Sequence, residues 1–144
     1  MRILQFAFDA TESGKAFDPD NGFLPHNYVE HCLAYTGTHD NDTLAGWLAH
    51  ATPSEREYVE AYLGYSPSDP VWALLREAWK SVAAWAIAPM QDILGLGSQA
   101  RMNTPSTVGG NWSWRLGKDE FGPSVAARLK ELTQLYGRGA KEPE

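Results

Sequence analysis

The chain has 144 residues, with 12 basic and 18 acidic side chains and a formal net charge of −6. This length suits one domain with a sizeable core, and the acidic balance without a basic cluster argues against a nucleic-acid partner. No apolar run approaches membrane-spanning length and the first residues lack a signal-peptide pattern, so we expect no membrane partner.

The first part of the chain predicts two strands separated by a long loop. Residues 3–8 (ILQFAF) and about 32–37 (CLAYTG) are short apolar runs, which are typical of parallel strands buried on both faces. Residues 10–25 between them are rich in Gly, Pro, Asp and Asn, which predicts a loop. A single cysteine, Cys32, cannot form an internal disulfide; we expect a small core residue and a reducing, cytoplasmic location.

Capping residues and apolar spacing predict the helices that follow. Residues 41–43 (NDT) can cap a helix that begins at Leu44, and residues 52–55 (TPSE) form a capping box with proline at the first helical position. Asp69 and Pro70 open another helix in the same way, and the last helix spans about 124–136. The residues expected to face inward are Trp72, Leu75, Trp79 and Val82, and later Val125, Leu129, Leu132 and Leu135.

A third strand is predicted at residues 85–90 (WAIAPM), and polar residues follow all three strands. Asp9 follows the first, residues 38–42 (THDND) the second, and residues 91–92 (QD) the third. The alternation of strands and helices indicates the α/β class, in which these polar residues would share one rim. Three strands leave unpaired outer edges, so we expect this unit to belong to something larger.

Residues 38–42 are the strongest candidate site, because His39 and Asp40 directly follow a buried run. Other readings stay open: Asp42 can be only a helix cap, and the whole segment can be a satisfied turn. A calcium loop is disfavoured because the downstream glutamate is absent. The four histidines show no paired spacing for zinc, so we expect neither a metal nor a cofactor.

Residues 97–118 have little helical or strand periodicity, and loops of this length are either functional or disordered. Two tryptophans (Trp112 and Trp114) and two arginines (Arg101 and Arg115) argue against disorder. The tryptophans can be core anchors of a structural plug, or they can stack on the apolar C–H faces of sugars. The sequence leaves both roles open.

Several motifs occur in a fixed order along the chain. They are ILQFAF at 3–8, LPHNY at 24–28, YTGTHDNDT at 35–43, PMQDIL at 89–94, and ARMNTP at 100–105 with NWSWR at 111–115. Together they resemble the C-terminal portion of the amylomaltase, or 4-α-glucanotransferase (disproportionating enzyme), family. The resemblance covers residues 1–137, and it implies that these residues are part of a catalytic domain. We expect residues 138–144 to be a flexible tail. It implies a partial (β/α)8 TIM barrel of the α-amylase kind, about strands six to eight with their helices.

The resemblance also implies an activity and roles for individual residues. The family transfers α-1,4-glucan segments between maltodextrins by a retaining double displacement, without a cofactor. Asp40 matches the carboxylate that stabilises the transition state, and His39 matches a histidine that contacts the sugar. Asn103 falls in the loop lining the donor subsites, and Phe6 and Asp9 lie near the donor side as further substrate-binding residues.

The resemblance implies that other parts of the machinery lie elsewhere. The nucleophile Asp and the acid/base Glu of the family precede the matched portion, so we expect Met1 to correspond to an internal position. We therefore expect the isolated chain to be inactive and to need the missing N-terminal part of the same enzyme. The alternative is a non-catalytic module that binds α-1,4-glucan oligosaccharides or complements a partner. The loop at residues 10–22 is longer and more polar than is usual in the family.

Overall fold

A three-stranded parallel sheet lies at the centre of the computed structural model, which describes residues 1–9 and 17–139. The strands are β1 (Arg2–Ile3), β2 (Leu33–Tyr35) and β3 (Trp85–Ile87), in the order β1-β2-β3. Their register places Ile3 opposite Tyr35 and Tyr35 opposite Ile87. The predicted α/β class and parallel arrangement are confirmed. Most of the unusual loop, residues 10–16, lies outside the described residues.

The prediction of a strand over residues 3–8 was wrong beyond Ile3, because Leu4–Phe8 forms a 3-10 helix. Leu4, Ala7 and Phe8 are completely buried, whereas Phe6 is 45% exposed. Buried positions three and four apart follow the period of a helix. A short apolar run does not distinguish a helix from a strand, so the chain packing decided between them. The third strand is also shorter than predicted, because α4 begins at Met90.

Helices pack beside the sheet and follow its second and third strands along the chain. In the described part of the chain they are α1 (Leu44–His50), α2 (Pro53–Leu63), α3 (Pro70–Lys80), α4 (Met90–Ile93) and α5 (Pro123–Leu135), with 3-10 turns at Pro25–Asn27 and Ser98–Ala100. All four helices predicted from the sequence are present. The short helix α4 is additional.

The capping residues act as the sequence predicted. Thr52 and Glu55 form a reciprocal capping box at the start of α2, where the Thr52 N–H donates to Glu55 Oε2 over 2.6 Å. Asp69 accepts a hydrogen bond from the Trp72 N–H at the start of α3. Gly64 ends α2 with a φ of 78°, a left-handed conformation that glycine adopts without steric cost. Local sequence therefore sets these helix boundaries.

The main core lies where α1, α2 and α3 pack against the 3-10 helix that contains Phe8. The completely buried residues there include Leu4, Phe8, Leu44, Leu74 and Leu75. Two predicted core residues are exposed instead, Val82 at 62% and Leu135 at 61%. Val82 lies beyond the end of α3, and Leu135 is the last residue of α5. The helical spacing used in the prediction therefore does not continue past either residue.

A second small cluster forms around the cysteine. Cys32 is 9% exposed and packs with Tyr28, Ala34 and Ala83, so the prediction of a core cysteine is confirmed. The Tyr28 hydroxyl is buried without a hydrogen-bond partner among the described residues, and burial raises the pKa of that phenol.

One face of the sheet is open and apolar, contrary to the prediction of strands buried on both faces. Trp85 is 66% exposed, and Leu33 and Ile87 are each 36% exposed. The register pairs Leu33 with Trp85, so these side chains form a continuous apolar surface on neighbouring strands. Parallel sheets are normally covered on both faces. The uncovered face therefore needs an apolar partner surface.

The C-terminal end of the described structure is tied to α3. Arg138 donates hydrogen bonds to the carbonyls of Trp79, Ser81 and Ala83 at 2.6–2.9 Å. Residues 140–144, most of the predicted tail, lie outside the described residues. No helix within residues 1–9 and 17–139 is long and apolar enough to cross a membrane.

Candidate functional site

The segment that follows β2 carries the predicted site and is folded into a tight turn. The Thr38 N–H and hydroxyl both donate to Asn41 Oδ1, at 2.9 and 2.8 Å. The Asn41 N–H donates to the Thr38 carbonyl, and the Asp40 N–H donates to the Thr38 hydroxyl. Self-contained side-chain bonds of this kind fix a polar turn without secondary structure. The turn leaves His39 and Asp40 pointing outward.

His39, Asp40 and Asn103 come together at one exposed rim. The sequence predicted a rim position for His39 and Asp40. Asn103 Nδ2 donates to Asp40 Oδ1 over 2.7 Å, and His39 Nε2 lies 3.4 Å from the same oxygen. The side chains of His39 and Asp40 are 56% and 51% exposed. The other carboxylate oxygen of Asp40, Oδ2, has no hydrogen bond within residues 1–9 and 17–139. It is therefore available to a ligand.

A backbone frame holds these three residues together. The Asn103 N–H donates to the His39 carbonyl over 3.0 Å. The Arg101 guanidinium donates to the carbonyls of Asp40 and Asn103, at 2.7 and 2.8 Å. Arg101 therefore bridges two loops through their carbonyls and leaves the Asp40 carboxylate without a cationic partner in these bonds. The side-chain orientation at the rim depends on this bridge.

Two further carboxylates near the rim are fully used by the structure. Asp42 Oδ1 accepts the Thr43 N–H and Oδ2 accepts the Ser98 hydroxyl, at 2.8 and 2.7 Å. Thr43, not Asp42, is the N-cap of α1, because its hydroxyl accepts the Gly46 N–H. The cap interpretation of Asp42 is therefore wrong in detail, although a structural role for it is correct.

Asp92 is the second of these carboxylates and is 1% exposed. Its Oδ2 accepts the Thr36 hydroxyl over 2.6 Å, and its Oδ1 accepts the Leu44 N–H over 2.7 Å. Burial raises the pKa of Asp92, and the two hydrogen bonds oppose that rise, while the nearby charge of Asp42 adds to it. Asp92 is thus a buried acceptor with both oxygens occupied.

A cavity of about 230 Å³ adjoins the rim and is lined by residues from the segments that follow β2 and β3 and from the long loop. Its walls include His39, Asp92, Arg101, Met102 and Trp112, whereas Asp40 and Asn103 lie beside it. The Trp112 ring lies 5.0 Å from the His39 ring, tilted by 42°, and Trp112 is 53% exposed. The core-anchor interpretation is therefore wrong for Trp112.

The backbone at Trp112 has an unusual conformation for a bulky residue. Its φ is 60°, in the left-handed region that non-glycine residues rarely adopt. The Trp112 N–H donates to the Met102 carbonyl over 2.7 Å, and Asn111 Oδ1 accepts the Thr104 N–H. These bonds hold the strained residue in place beside His39. Strain of this kind is found preferentially at functional sites.

Phe6 and Asp9, the two remaining predicted site residues, lie on the 3-10 helix after β1. Phe6 packs edge-on against Phe23, with ring centroids 5.4 Å apart, and Asp9 is the exposed C-terminal cap of that helix. Neither lines the cavity. The same helix does reach the site through Gln5, whose amide donates to the Asp42 carbonyl over 2.8 Å.

Thr36 and Asp92, which are buried beneath the rim, could not be identified as its supports from the sequence. Thr36 looked like part of a strand, and Asp92 was placed on the rim without a role. Their polar side chains at the ends of neighbouring apolar runs were the available signal. Within residues 1–9 and 17–139, no group of three or more His, Cys, Asp or Glu side chains is arranged to hold a metal ion.

The exposed cluster has a definite chemical capacity. An outward carboxylate oxygen and a neighbouring imidazole can hydrogen-bond to adjacent hydroxyl groups of one ligand. An exposed indole beside them can pack against an apolar C–H surface. This combination suits a neutral polyhydroxylated ligand such as a sugar.

Comparisons with known proteins agree with that chemistry. A family model described as 4-alpha-glucanotransferase matches residues 1–119. Over 96% of its length the chain is similar to curated 4-alpha-glucanotransferases, with 46% identity to that of Synechocystis sp. and 45% to that of Thermus thermophilus. The fold is similar to amylomaltase from Streptococcus agalactiae in complex with acarbose, with a TM-score of 0.86, 39% identity and 97% of this chain covered.

The chain spans only about a quarter of these proteins. It covers 26% of the Synechocystis protein, 28% of the Thermus protein and 27% of the Streptococcus structure. The family match itself is extensive, because it includes the rim, the cavity and most of the helices. The chain belongs to the 4-alpha-glucanotransferase family.

Proposed function

We propose that this chain supplies the transition-state-stabilising carboxylate of a retaining 4-α-glucanotransferase that acts on α-1,4-glucan oligosaccharides. The observation that carries the proposal is that three carboxylates near the cavity differ in how many of their oxygens accept hydrogen bonds from the fold. Asp42 and Asp92 have both oxygens occupied by the fold, whereas Asp40 presents Oδ2 at an exposed rim. Asp40 is therefore the carboxylate suited to bind a substrate.

The chemistry of glucan transfer gives Asp40 a specific task. Cleavage passes through an oxocarbenium-like sugar, and hydroxyl contacts that tighten in that state contribute about 2–5 kcal/mol. Asp40 Oδ2 accepts a hydrogen bond from a hydroxyl of the sugar ring, while Asn103 donates to Oδ1 and fixes the carboxylate plane. His39 contacts a neighbouring hydroxyl from the same side.

The bond-breaking groups of such a reaction must come from other carboxyls. A retaining mechanism needs a nucleophile and an acid/base about 5 Å apart on either side of the bond. Asp42 and Asp92 are poorly suited to these roles, because each of their carboxylate oxygens accepts a hydrogen bond from the fold. We therefore propose that the rest of the enzyme, the N-terminal part, supplies both groups, and that the 144-residue chain is inactive alone.

The open face of the sheet supports a matching architectural proposal. We propose that residues 1–137 belong to one catalytic (β/α)8 barrel of the α-amylase kind, in which β1, β2 and β3 are about strands six to eight. The exposed Leu33, Trp85 and Ile87 would then face the interior of the closed barrel. Phe6 and Asp9 are proposed to face the donor side.

The test compares four proteins in glucose release from maltotriose. The first is the 144-residue chain, and the second is the Synechocystis relative with its matching segment replaced by residues 1–144. The third is the same fusion with Asp40→Asn. We expect no release by the chain, release by the fusion, and a loss of at least about thirtyfold in kcat/KM with Asp40→Asn. Asp119→Asn, at an exposed carboxylate in a loop, is the matched control. Turnover by the chain alone, or an Asp40→Asn fusion as active as the control, would overturn the proposal.

A non-catalytic glucan-binding module is the second candidate function. The exposed Trp112 ring beside His39 favours it, because such a surface can bind sugar without the missing carboxylates. Titration calorimetry of the 144-residue chain with maltoheptaose distinguishes the two candidates when combined with the fusion assay. Binding by the chain together with an inactive fusion would favour the module.

The location of the protein is a separate proposal. We propose a cytoplasmic location, since the lone cysteine is buried and fits a reducing compartment. Detection of the protein in a membrane-free cytosolic fraction would support this proposal, and its recovery from an exported or organelle fraction would contradict it.

A further inference from the structure

We propose that Asp92 is a positioning residue, which orients His39 and Asp40 by holding both ends of the segment that carries them. The importance of this role for glucan transfer depends on the proposed function. The geometry itself does not.

The two hydrogen bonds of Asp92 reach both ends of the segment that carries the rim. Thr36 directly follows β2, and Leu44 is the first residue of α1, so these two residues bracket the turn that contains His39 and Asp40. Asp92 lies on α4, 56 residues from Thr36 and 48 from Leu44. The Asp92 carboxylate, which follows β3 in the chain, therefore links the C-terminal end of β2 to the N-terminus of α1.

The joint that Asp92 forms with Thr36 and Leu44 is buried. Asp92 and Leu44 are 1% and 0% exposed, and Thr36 is 0% exposed, so water cannot replace a lost bond at low cost. The Leu44 N–H is one of the donors that a helix start leaves without an internal partner. The carboxylate satisfies that donor and the hydroxyl together. Removal of either bond leaves a buried polar group unpaired.

The rim, unlike this joint, is exposed to solvent, and its side chains are held by bonds within the turn and across the site. His39 and Asp40 are more than half exposed, and the contacts that orient them come from Asn103 and Arg101 across the site. A displacement of the segment ends would be passed directly to the Asp40–Asn103 bond. A carboxylate with a purely structural role would instead leave that bond unchanged in any variant that still folds. This difference makes the proposal testable.

The experiment uses the 144-residue chain, labelled with nitrogen-15, and follows the side-chain amide of Asn103. Thr36→Val removes the hydroxyl with little change in shape, Thr36→Ser keeps it, and Asp92→Asn keeps the side-chain volume but replaces one acceptor with a donor. We expect Thr36→Val and Asp92→Asn to shift the Asn103 amide resonance and to speed its exchange with water about tenfold. Thr36→Ser should restore the wild-type signal. Asp40→Asn must shift the same signal, which verifies that it reports on the Asp40–Asn103 bond, and Asn103→Ala must remove it, which verifies its assignment.

The outcomes separate the two roles. An Asn103 signal that is unchanged in folded Thr36→Val, with only a lower melting temperature, would overturn the positioning role. An Asn103 signal unmoved by Asp40→Asn would contradict the geometry on which the role depends. Thr36→Val keeps the test decisive if Asp92→Asn fails to fold. Failure of the proposed function would look different: an inactive fusion in which the Asn103 signal and its response to Thr36→Val are intact.

Discussion

The side-chain amide of Asn103 donates a 2.7 Å hydrogen bond to the carboxylate of Asp40, although 63 residues separate them in the sequence. This bond occupies one oxygen of Asp40 and leaves the other directed away from the fold. The bond fixes the orientation of the Asp40 carboxylate through a neutral amide. Such an arrangement leaves one carboxylate oxygen available to accept hydrogen bonds from a ligand.

Substitution of Asn103 should therefore lower transfer activity. We expect Asn103→Leu in the fusion enzyme to reduce kcat/KM about tenfold, because the loss of one hydrogen bond to a charged group costs about 1.5 kcal/mol at an exposed position. Initial rates of glucose release from maltotriose measure the effect. Gln134→Leu, at an exposed amide on α5, should leave the rate unchanged. A rate for Asn103→Leu within a factor of two of this control would show that Asp40 does not need the amide.

The exposed indole of Trp112 should contribute to sugar binding. Trp112→Ala should weaken the binding of maltoheptaose by the 144-residue chain, whereas Trp112→Phe should keep part of the affinity because an aromatic surface remains. Titration calorimetry gives the dissociation constants. Tyr65→Ala is the matched control, since Tyr65 is also 53% exposed but lies in a different groove. Equal losses in Trp112→Ala and Tyr65→Ala would contradict a specific role for Trp112.

The capping box at the start of α2 should stabilise the fold by a measurable amount. Thr52→Ala removes the side-chain acceptor for the Glu55 N–H and should cost about 1 kcal/mol of unfolding free energy. Urea denaturation followed by circular dichroism measures the change. Ser54→Ala, on an exposed helical residue next to the box, should change stability by less than about 0.5 kcal/mol. The prediction fails if Thr52→Ala is no less stable than Ser54→Ala.

Arg138 should anchor the C-terminal end of the described structure to α3. Arg138→Ala removes three hydrogen bonds to carbonyls, including that of Trp79, and should lower the melting temperature. Arg138→Lys should recover only part of the loss, because a lysine ammonium cannot reproduce the planar fork of donors. Lys130→Ala, on the exposed face of α5, is the charge-matched control. A melting temperature for Arg138→Ala equal to that of Lys130→Ala would show that the anchor is unimportant.

The buried Asp92 should make stability depend on pH. Because burial raises its pKa in the folded state, folding favours the protonated form of this carboxyl. The contribution of Asp92 to stability is therefore greatest below the unfolded pKa of 3.8 and decreases as pH rises through the folded pKa. The difference in unfolding free energy between wild type and Asp92→Asn, measured across acidic pH, should shrink over that window. A difference independent of pH would contradict the raised pKa.

The sequence by itself determined where four of the helices lie, the class of fold and the segment that forms the rim. Thr52, Asp69 and Gly64 mark their helices through bonds between close neighbours, so local sequence is sufficient to predict them. The position of His39 and Asp40 after an apolar run also follows from the alternation of strands and turns. The motifs at residues 35–43 and 100–115 carry the family resemblance, which the comparisons confirm.

Only the tertiary structure decided which polar residues act together. Residues 4–8 became a 3-10 helix because packing against Tyr58 and Tyr62 buries Phe8 on one side, a contact that an apolar run cannot specify. The bonds of Asp92 to Thr36 and of Asn103 to Asp40 join residues more than 50 positions apart. No local pattern encodes such pairs, because they depend on how neighbouring strand–helix units pack. The sequence thus determined which residues reach the rim, and the packing decided which carboxylate remains available there.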